Sequence, residues 1–226
     1  MAPRNADHRS GAERILDAAM LLFGERGFRG TTLKDIATEA GVSQALIVHH
    51  YGTKDQLRAT CDEHVADLIR TRKEEAMGDA PQIDPFIALR QLSNSRVLLR
   101  YLTRTLTEGG DHATQLIDDM IADAEKYMTQ GEKAGLIKPS AVPRDRVVVL
   151  VLWSLGALVL HEHAQRLLGV DFLAEGGSSA DLQRYLYPAL ELYTQGLVVD
   201  GALDDLSAFL GPAGDTSDSQ HDLRKE

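Results

Sequence analysis

The stretch TLKDIATEAGVSQALIVHHY, residues 32–51, decides the fold. It predicts two short helices joined by a tight turn, because Gly41 tolerates unusual backbone dihedrals and separates two helix-forming runs. Ala37 is small enough for the two helices to approach each other closely. Val42 and Ile47 supply apolar contacts that lock the second helix on the first. The pattern is that of a helix-turn-helix.

Capping signals place helix starts within this motif and on both sides of it. In a capping box, a Ser or Thr and a residue three positions later each bond the other's backbone N–H. Three such pairs occur: Ser10 with Glu13, Thr32 with Asp35, and Thr53 with Gln56. Ser43 is a single cap before the second helix of the motif. We therefore expect a first helix from Ser10 to Gly27, short helices over 33–40 and 44–51, and a long helix from 54 to about 77.

The rest of the chain predicts more helix. Helices are expected over about 85–108, 112–134, 143–168 and 179–199. Alternating apolar runs typical of strands are absent. The polar ends, residues 1–9 and 211–226, are predicted to be disordered. The predicted fold class is all-α, with a three-helix helix-turn-helix head at 10–53 and a helical body at 54–210.

Charge and cysteine content narrow the class of protein. The net charge is −10, but residues 1–60 carry 8 Lys and Arg against 7 Asp and Glu, so the excess acid lies in the body. A near-neutral head can still present a local basic surface to phosphate.

A single cysteine, Cys61, excludes an internal disulfide and fits a reducing cytoplasm. The longest apolar run, Val147 to Leu160, has 14 residues, whereas a membrane span needs about 20. We expect a cytoplasmic protein without a membrane segment.

The N-terminal stretch resembles the tetracycline-repressor (TetR) family of transcriptional regulators over about residues 10–60. The residues that carry the resemblance are Phe23, Gly27, Thr31, Thr32, Ile36, Ala37, Ala40, Gly41, Val42, Ser43, Tyr51, Lys54 and Leu57. The resemblance implies a DNA-binding head and a body that binds a small-molecule effector and forms a four-helix dimer interface. It also implies a ligand-responsive regulator, a repressor, that binds a palindromic operator as a homodimer.

The second helix of the motif is expected to read the DNA. Ile47 points to the core, so the opposite face enters the major groove. Gln44 can hydrogen-bond bidentately to adenine, and His49 can donate to guanine or phosphate. Ala45 and Leu46 can touch thymine methyl groups.

The family resemblance implies further contacts, from Thr32, His50 and Lys54 to phosphate, and adds Ser43 and Tyr51 to the DNA-binding set. One position departs from the family pattern. Val48 stands where the family often has a tyrosine that reaches phosphate, and a valine makes only apolar contacts. Packing against a neighbouring helix is an alternative for Leu46 and Val48. For His49 and His50 the alternative is a plain surface position.

The body offers weaker signals. An effector pocket is predicted at six residues, which could instead be core: Arg100, Tyr101, Arg104, Met120, Tyr127 and Trp153.

His161 and His163 point about 200° apart on a helix, so no metal site is expected. Cys61 is interpreted as a buried hydrophobe rather than a thiol sensor. No cofactor motif and no catalytic constellation emerges, so an enzyme is not expected. The alternative function is a helical small-molecule-binding protein or enzyme with a fortuitous helix-turn-helix.

The run from Val147 to Leu160 also predicts assembly. A helix that is hydrophobic all round must be covered on all sides. The final helix, with Leu182, Leu186 and Leu190 along one side, is its natural companion. We expect a homodimer through about residues 143–168 and 179–199, with two helices from each chain around a two-fold axis.

Overall fold

The structure is a computed structural model that describes residues 10–77, 96–174, 179–199 and 201–202. Within these ranges all regular structure is helical and no strand occurs, which confirms the all-α class. The helices of the described ranges are α1 (Gly11–Arg26), α2 (Leu33–Ala40), α3 (Gln44–Tyr51), α4 (Lys54–Met77), α5 (Arg96–Glu108), α6 (Asp111–Lys133), α7 (Pro143–Val159), α8 (His161–Leu168) and α9 (Ser179–Gln195).

The predicted caps start the helices of the head. Ser10 Oγ accepts from the Glu13 N–H, and the Glu13 carboxylate accepts from the Ser10 N–H at 2.6 Å. The same reciprocal pattern joins Thr32 with Asp35 and Thr53 with Gln56. These bonds satisfy backbone donors that a helix start leaves unpaired. The predicted bounds of α2, α3 and α4 are confirmed.

Three predictions lie outside the described residues. They are the start of the fifth helix at about residue 85, and the disordered segments 1–9 and 211–226. The part of the fifth helix that is described, α5, ends at Glu108 as expected. The final helix ends at Gln195, four residues before its predicted end, where Gly196 takes a φ of +76°.

Head and body share one apolar core. It contains residues from each of α1 to α7, and it includes Ile15, Ile47 and Val65, which are fully buried. α1 packs against α2, α3 and α4, and it also packs against α5 of the body. At Gly24 the backbones of α1 and α5 are so close that a Cβ would lie 3.0 Å from the backbone nitrogen of Tyr101. The orientation of the head is therefore tied to α5 as well as to α4.

The predicted helix over 143–168 is two helices, and the single-helix prediction was wrong. The chain turns at Leu160, with φ −93° and ψ 21°, and the axes of α7 and α8 differ by 71°. No glycine or proline stands at the break, so the sequence carries no local signal for it. No single helix of the described residues is long and apolar enough to cross a membrane. The bent pair α7 and α8 meets that length and composition only when the two are taken together.

The two sides of α7 differ in burial. Val147, Val151 and Leu155 recur every four residues and face the core. On other sides Leu152 is 51% and Trp153 67% exposed. Its own chain therefore covers only part of this helix.

α9 also exposes large apolar side chains. Of the 16 large apolar side chains that are exposed among the described residues, 14 lie between Val149 and Val199. On α9 they include Tyr187, Leu190 and Tyr193. Large apolar side chains exposed in this number, within one part of the sequence, are typical of an association surface.

Candidate nucleic-acid interface

The turn of the helix-turn-helix has the predicted geometry. Gly41 adopts φ 64° and ψ 40°, the left-handed conformation that a side chain disfavours. The N–H of Val42 then donates to the carbonyl oxygen of Ala37 at 2.9 Å, which closes the turn. Ala37 is 5% exposed, so a small residue does stand where the two helices meet.

The recognition helix α3 presents an open outer face. Ile47 is fully buried and holds the helix on the core. Gln44, Ala45 and His49 are exposed, as is His50 beside them. Ser43 Oγ accepts from the Leu46 N–H at 3.2 Å and caps the helix. Because α3 has no acidic residue, nothing on the helix itself repels phosphate.

Leu46 and Val48 differ in burial. Leu46 is half-buried and packs against the start of α1, where a Cβ on Gly11 would lie 3.2 Å from Leu46 Cδ2. Val48 is 52% exposed. Of the two, Val48 is the side chain on the open face, and Leu46 serves the packing of α3 on α1.

Thr32 stands at the start of α2 and is exposed. Its hydroxyl donates to Asp35 Oδ2 at 2.5 Å, and its N–H donates to the same oxygen at 2.9 Å. These two bonds from Thr32 hold the pKa of Asp35 below its ordinary value. Thr32 is thus engaged within its own cap, and it reaches a phosphate only if its hydroxyl turns away from Asp35.

Tyr51 and Lys54 point inward. The Tyr51 hydroxyl donates to the carbonyl oxygen of Ala12 at 2.8 Å, and partial burial raises the pKa of the phenol. Lys54 Nζ donates to the carbonyl oxygens of Phe28 and Thr31, each at 2.8 Å. The ammonium also lies 4.1 Å from the centroid of the Phe28 ring, a cation–π contact. Lys54 therefore holds the loop before α2 and keeps one N–H for another partner.

The residues predicted for an effector pocket differ in burial and in their hydrogen-bond partners. Tyr101 is 1% exposed, and its hydroxyl donates to Asp62 Oδ1 at 2.6 Å. Arg100 donates to the carbonyl oxygen of Leu173, and Arg104 pairs with Glu108 at 3.1 Å. Trp153, which was also predicted for the pocket, is 67% exposed on α7. Tyr101 lies in the apolar core, and Met120 and Tyr127, half-buried on α6, pack against that core.

A partly buried polar cluster joins α4, α5 and α6. Asp62 accepts from Tyr101 and lies 2.8 Å from His112 Nδ1 through its second oxygen. Burial raises the pKa of both Asp62 and Tyr101. Cys61, next to Asp62, is fully buried with a raised pKa, as expected of a packing residue. The described residues contain no group of three His, Cys, Asp or Glu placed to hold a metal ion.

The fold and the open face of α3 define a helix-turn-helix regulator with a helical body. Residues 15–61 match the family model "Bacterial regulatory proteins, tetR family". Residues 94–199 match "Tetracyclin repressor-like, C-terminal domain". The chain is 37% identical over 218 residues to the HTH-type transcriptional regulatory protein RaaS of Mycobacterium tuberculosis. This alignment covers 93% of this chain and 96% of RaaS. The chain belongs to the TetR family of transcriptional regulators.

Other relatives agree with this assignment. The HTH-type transcriptional repressor KstR2 of Rhodococcus jostii is 41% identical over 137 residues, 59% of this chain and 61% of KstR2. SmeT, the repressor of a Stenotrophomonas maltophilia multidrug efflux pump, superposes with a TM-score of 0.56 at 21% identity over 87% of this chain and 96% of its own. FadR of Bacillus subtilis, solved with stearoyl-CoA, gives 0.54 at 15% identity over 83% of this chain and 100% of its own. At these identities the structural matches show the fold alone.

Proposed function

We propose that this TetR-family regulator is a ligand-responsive repressor that binds a palindromic operator as a homodimer. The observation that carries the proposal is the exposed outer face of α3, held by Ile47 on a capped helix-turn-helix. Such a helix lies in the major groove with its N-terminal residues against the base edges.

The DNA contacts follow from which side chains of α3 are exposed. Gln44 and His49 carry hydrogen-bonding groups on the outer face, and Ala45 and Val48 carry methyl groups for thymine. His50 and the remaining N–H of Lys54 are proposed phosphate contacts, with Ser43 and Thr32 at the two helix starts. Tyr51 is proposed to act through α3, because its hydroxyl is bonded to α1.

The homodimer is supported by the exposed apolar side chains of α7 and α9. The occupant proposed for them is a second copy of this chain, because a palindrome requires two heads related by a two-fold axis. Two helices from each protomer would then form a four-helix interface. Trp153, exposed in one chain, becomes an interface residue in this arrangement.

The effector is proposed to bind in the body, beside the half-buried Met120 and Tyr127 of α6. Arg100 lies on the neighbouring α5 and carries a charge for an acidic group. The fold relative FadR was solved with stearoyl-CoA, an acidic ligand with a long apolar chain. An effector that favours one separation of the two heads over another changes operator affinity, because both must fit the major groove at once.

Selection of DNA by the purified protein tests the function. The wild-type chain is mixed with a pool of random-sequence duplexes, and bound duplexes are amplified and sequenced. We expect enrichment of one sequence, then a discrete gel shift with it and none with a scrambled duplex. A protein that enriches no sequence would instead fit a helical small-molecule-binding protein or enzyme with a fortuitous helix-turn-helix.

A repressor acts on chromosomal DNA, so the proposal places the protein in the cytoplasm and gives it no catalytic role.

A further inference from the structure

A carboxylate of the body contacts the loop that leads into the DNA-reading helices. Glu108 is the last residue of α5, and its two oxygens accept from the backbone N–H of Phe28 at 3.3 and 3.4 Å. Phe28 lies between α1 and α2, 80 residues away in sequence. The loop from Gly27 to Thr31 is also held by α1 and α4.

Two arginines hold the carboxylate of Glu108 in place. Arg104 Nε lies 3.1 Å from Oε1, one helical turn earlier on α5. Arg58 Nη1, on α4, lies 3.9 Å from Oε2, and the Arg58 side chain is only 9% exposed. A charged group held by two cations on separate helices has little freedom to follow the loop if the loop moves.

The same loop is held from its other side by α4. Lys54 donates to the carbonyl oxygens of Phe28 and Thr31, and both Lys54 and Arg58 lie over the Phe28 ring. Phe28 is thus bonded through its N–H to α5, through its carbonyl oxygen to α4, and through its ring to two cations. Thr31 Oγ1 is buried and donates to the carbonyl oxygens of Leu22 and Gly27, so the loop follows α1 as well.

Gly27 is what lets Glu108 approach. Its φ of +77° is unfavourable for any other residue, and a Cβ there would lie 2.2 Å from Glu108 Oε1. The ψ of 168° is not the left-handed helical value expected for a residue that merely ends α1. The glycine therefore provides space for a body residue in addition to ending the helix.

We propose that Glu108 is a positioning residue through which the body fixes the α1–α2 loop, and with it Thr32, α2 and the recognition helix. The inference rests on the proposed operator binding. It means that operator affinity depends on the position of the C-terminal end of α5, although Glu108 itself contacts no DNA. A displacement of α5 in the body would then reach the α1–α2 loop through this carboxylate, in addition to the direct packing of α5 on α1.

The test compares Glu108→Ala, Glu108→Gln and a matched control, Glu125→Ala. Glu125 is also a helical glutamate paired with an arginine, but its partner is Arg144 at 3.3 Å on the exposed side of the body. The probe is the duplex enriched by the wild-type protein, with affinity measured by fluorescence anisotropy over a range of salt. Circular dichroism verifies that each variant is folded.

The sign of the effect separates positioning from simple charge. Removing a carboxylate near the head makes that region more positive, so electrostatics alone predicts tighter binding of Glu108→Ala to DNA. Positioning predicts a loss of about tenfold, the scale of one hydrogen bond to a charged group. Glu108→Gln keeps an acceptor for the Phe28 N–H and is expected between wild type and Glu108→Ala. The salt slope stays unchanged, because no phosphate contact is removed.

Amide hydrogen exchange gives a second readout that needs no DNA. In Glu108→Ala the Phe28 amide is expected to exchange faster, while the amides of α6 keep their wild-type rates. A folded Glu108→Ala that binds the duplex as tightly as wild type, or tighter, would overturn the inference. So would unchanged exchange at Phe28. If the wild-type protein enriches no duplex, the proposed operator binding fails, and the exchange rate at Phe28 still decides whether Glu108 fixes the loop.

Discussion

The hydroxyl of Tyr51, in the last turn of the recognition helix, donates a 2.8 Å hydrogen bond to the carbonyl oxygen of Ala12 in the first turn of α1. The bond joins the end of α3 to the start of α1, 39 residues earlier in the sequence. Leu46, in the first turn of α3, contacts the same end of α1. The recognition helix is therefore fixed at both its first and its last turn, which leaves its outer face preorganised for DNA.

Tyr51→Phe should lower the stability of the head while leaving its fold intact. The substitution removes one hydrogen bond at a half-buried position, a loss of about 1 kcal/mol in the free energy of unfolding. Urea denaturation followed by circular dichroism measures it. Gln130→Ala, at an exposed position on α6, is the control and should unfold at the wild-type midpoint. An unchanged midpoint for Tyr51→Phe would show that the bond contributes nothing to stability.

Gln44→Ala and His49→Ala should weaken specific binding. Both side chains are exposed on the outer face of α3, so neither substitution opens a cavity. Loss of a good base contact costs about 1–3 kcal/mol of discrimination. Gel shifts at fixed salt, against the selected duplex and a scrambled one, give the difference. Gln130→Ala, on the exposed end of α6, is the control. Equal operator affinity for all three variants and wild type would remove Gln44 and His49 from the readout.

Lys54→Ala should have two effects, because Lys54 has two kinds of partner. Loss of its bonds to the Phe28 and Thr31 carbonyl oxygens should destabilise the head. Loss of the proposed phosphate contact should weaken binding to every DNA sequence and reduce the salt slope by about one. Affinity measured from low to high salt on specific and scrambled duplexes separates the effects. A destabilised variant with an unchanged salt slope would leave Lys54 as a residue of the loop only.

Leu152→Asp and Leu190→Asp should produce monomers. Both leucines are more than half exposed in the single chain, so the charge disturbs the partner rather than the core. Leu155 is unsuitable for this test, because it is 5% exposed and its replacement would unfold the protein. Sedimentation velocity at micromolar concentration gives the oligomeric state. Ala122→Asp, at an exposed position on α6, should remain a dimer. A wild-type protein that sediments as a monomer would contradict the interface.

The head could be predicted from sequence because its determinants are local. Ser43, Gly41 and Gly52 mark the ends of α3 within a few residues of it, and the caps at Thr32 and Thr53 act over three positions. Capping and left-handed glycines depend on short segments, and a single sequence displays them. The outer face of α3 followed from the helical period once Ile47 was assigned to the core.

The features that the sequence did not indicate depend on contacts between distant parts of the chain. No glycine or proline marks the break at Leu160. The helical period does not tell which side of α7 is covered, so the exposure of Trp153 could not be predicted. The inward direction of Lys54 depends on the Phe28 carbonyl oxygen, 26 residues away. The Glu108 contact spans 80 residues. In the sequence, Gly27 was the one residue that pointed to the Glu108 contact. Because a glycine is also expected where α1 ends, its presence did not require a second explanation.

The most direct test of the account is the symmetry of the selected operator together with the number of chains that bind it. The selected sequence should be an inverted repeat with half-sites separated by about 34–36 Å, one turn of DNA, or a multiple of that distance. Sedimentation with a labelled duplex should show a multiple of two protomers on each operator. An asymmetric enriched sequence bound by a single protomer would contradict the proposal that two heads, joined through α7 and α9, read one palindrome.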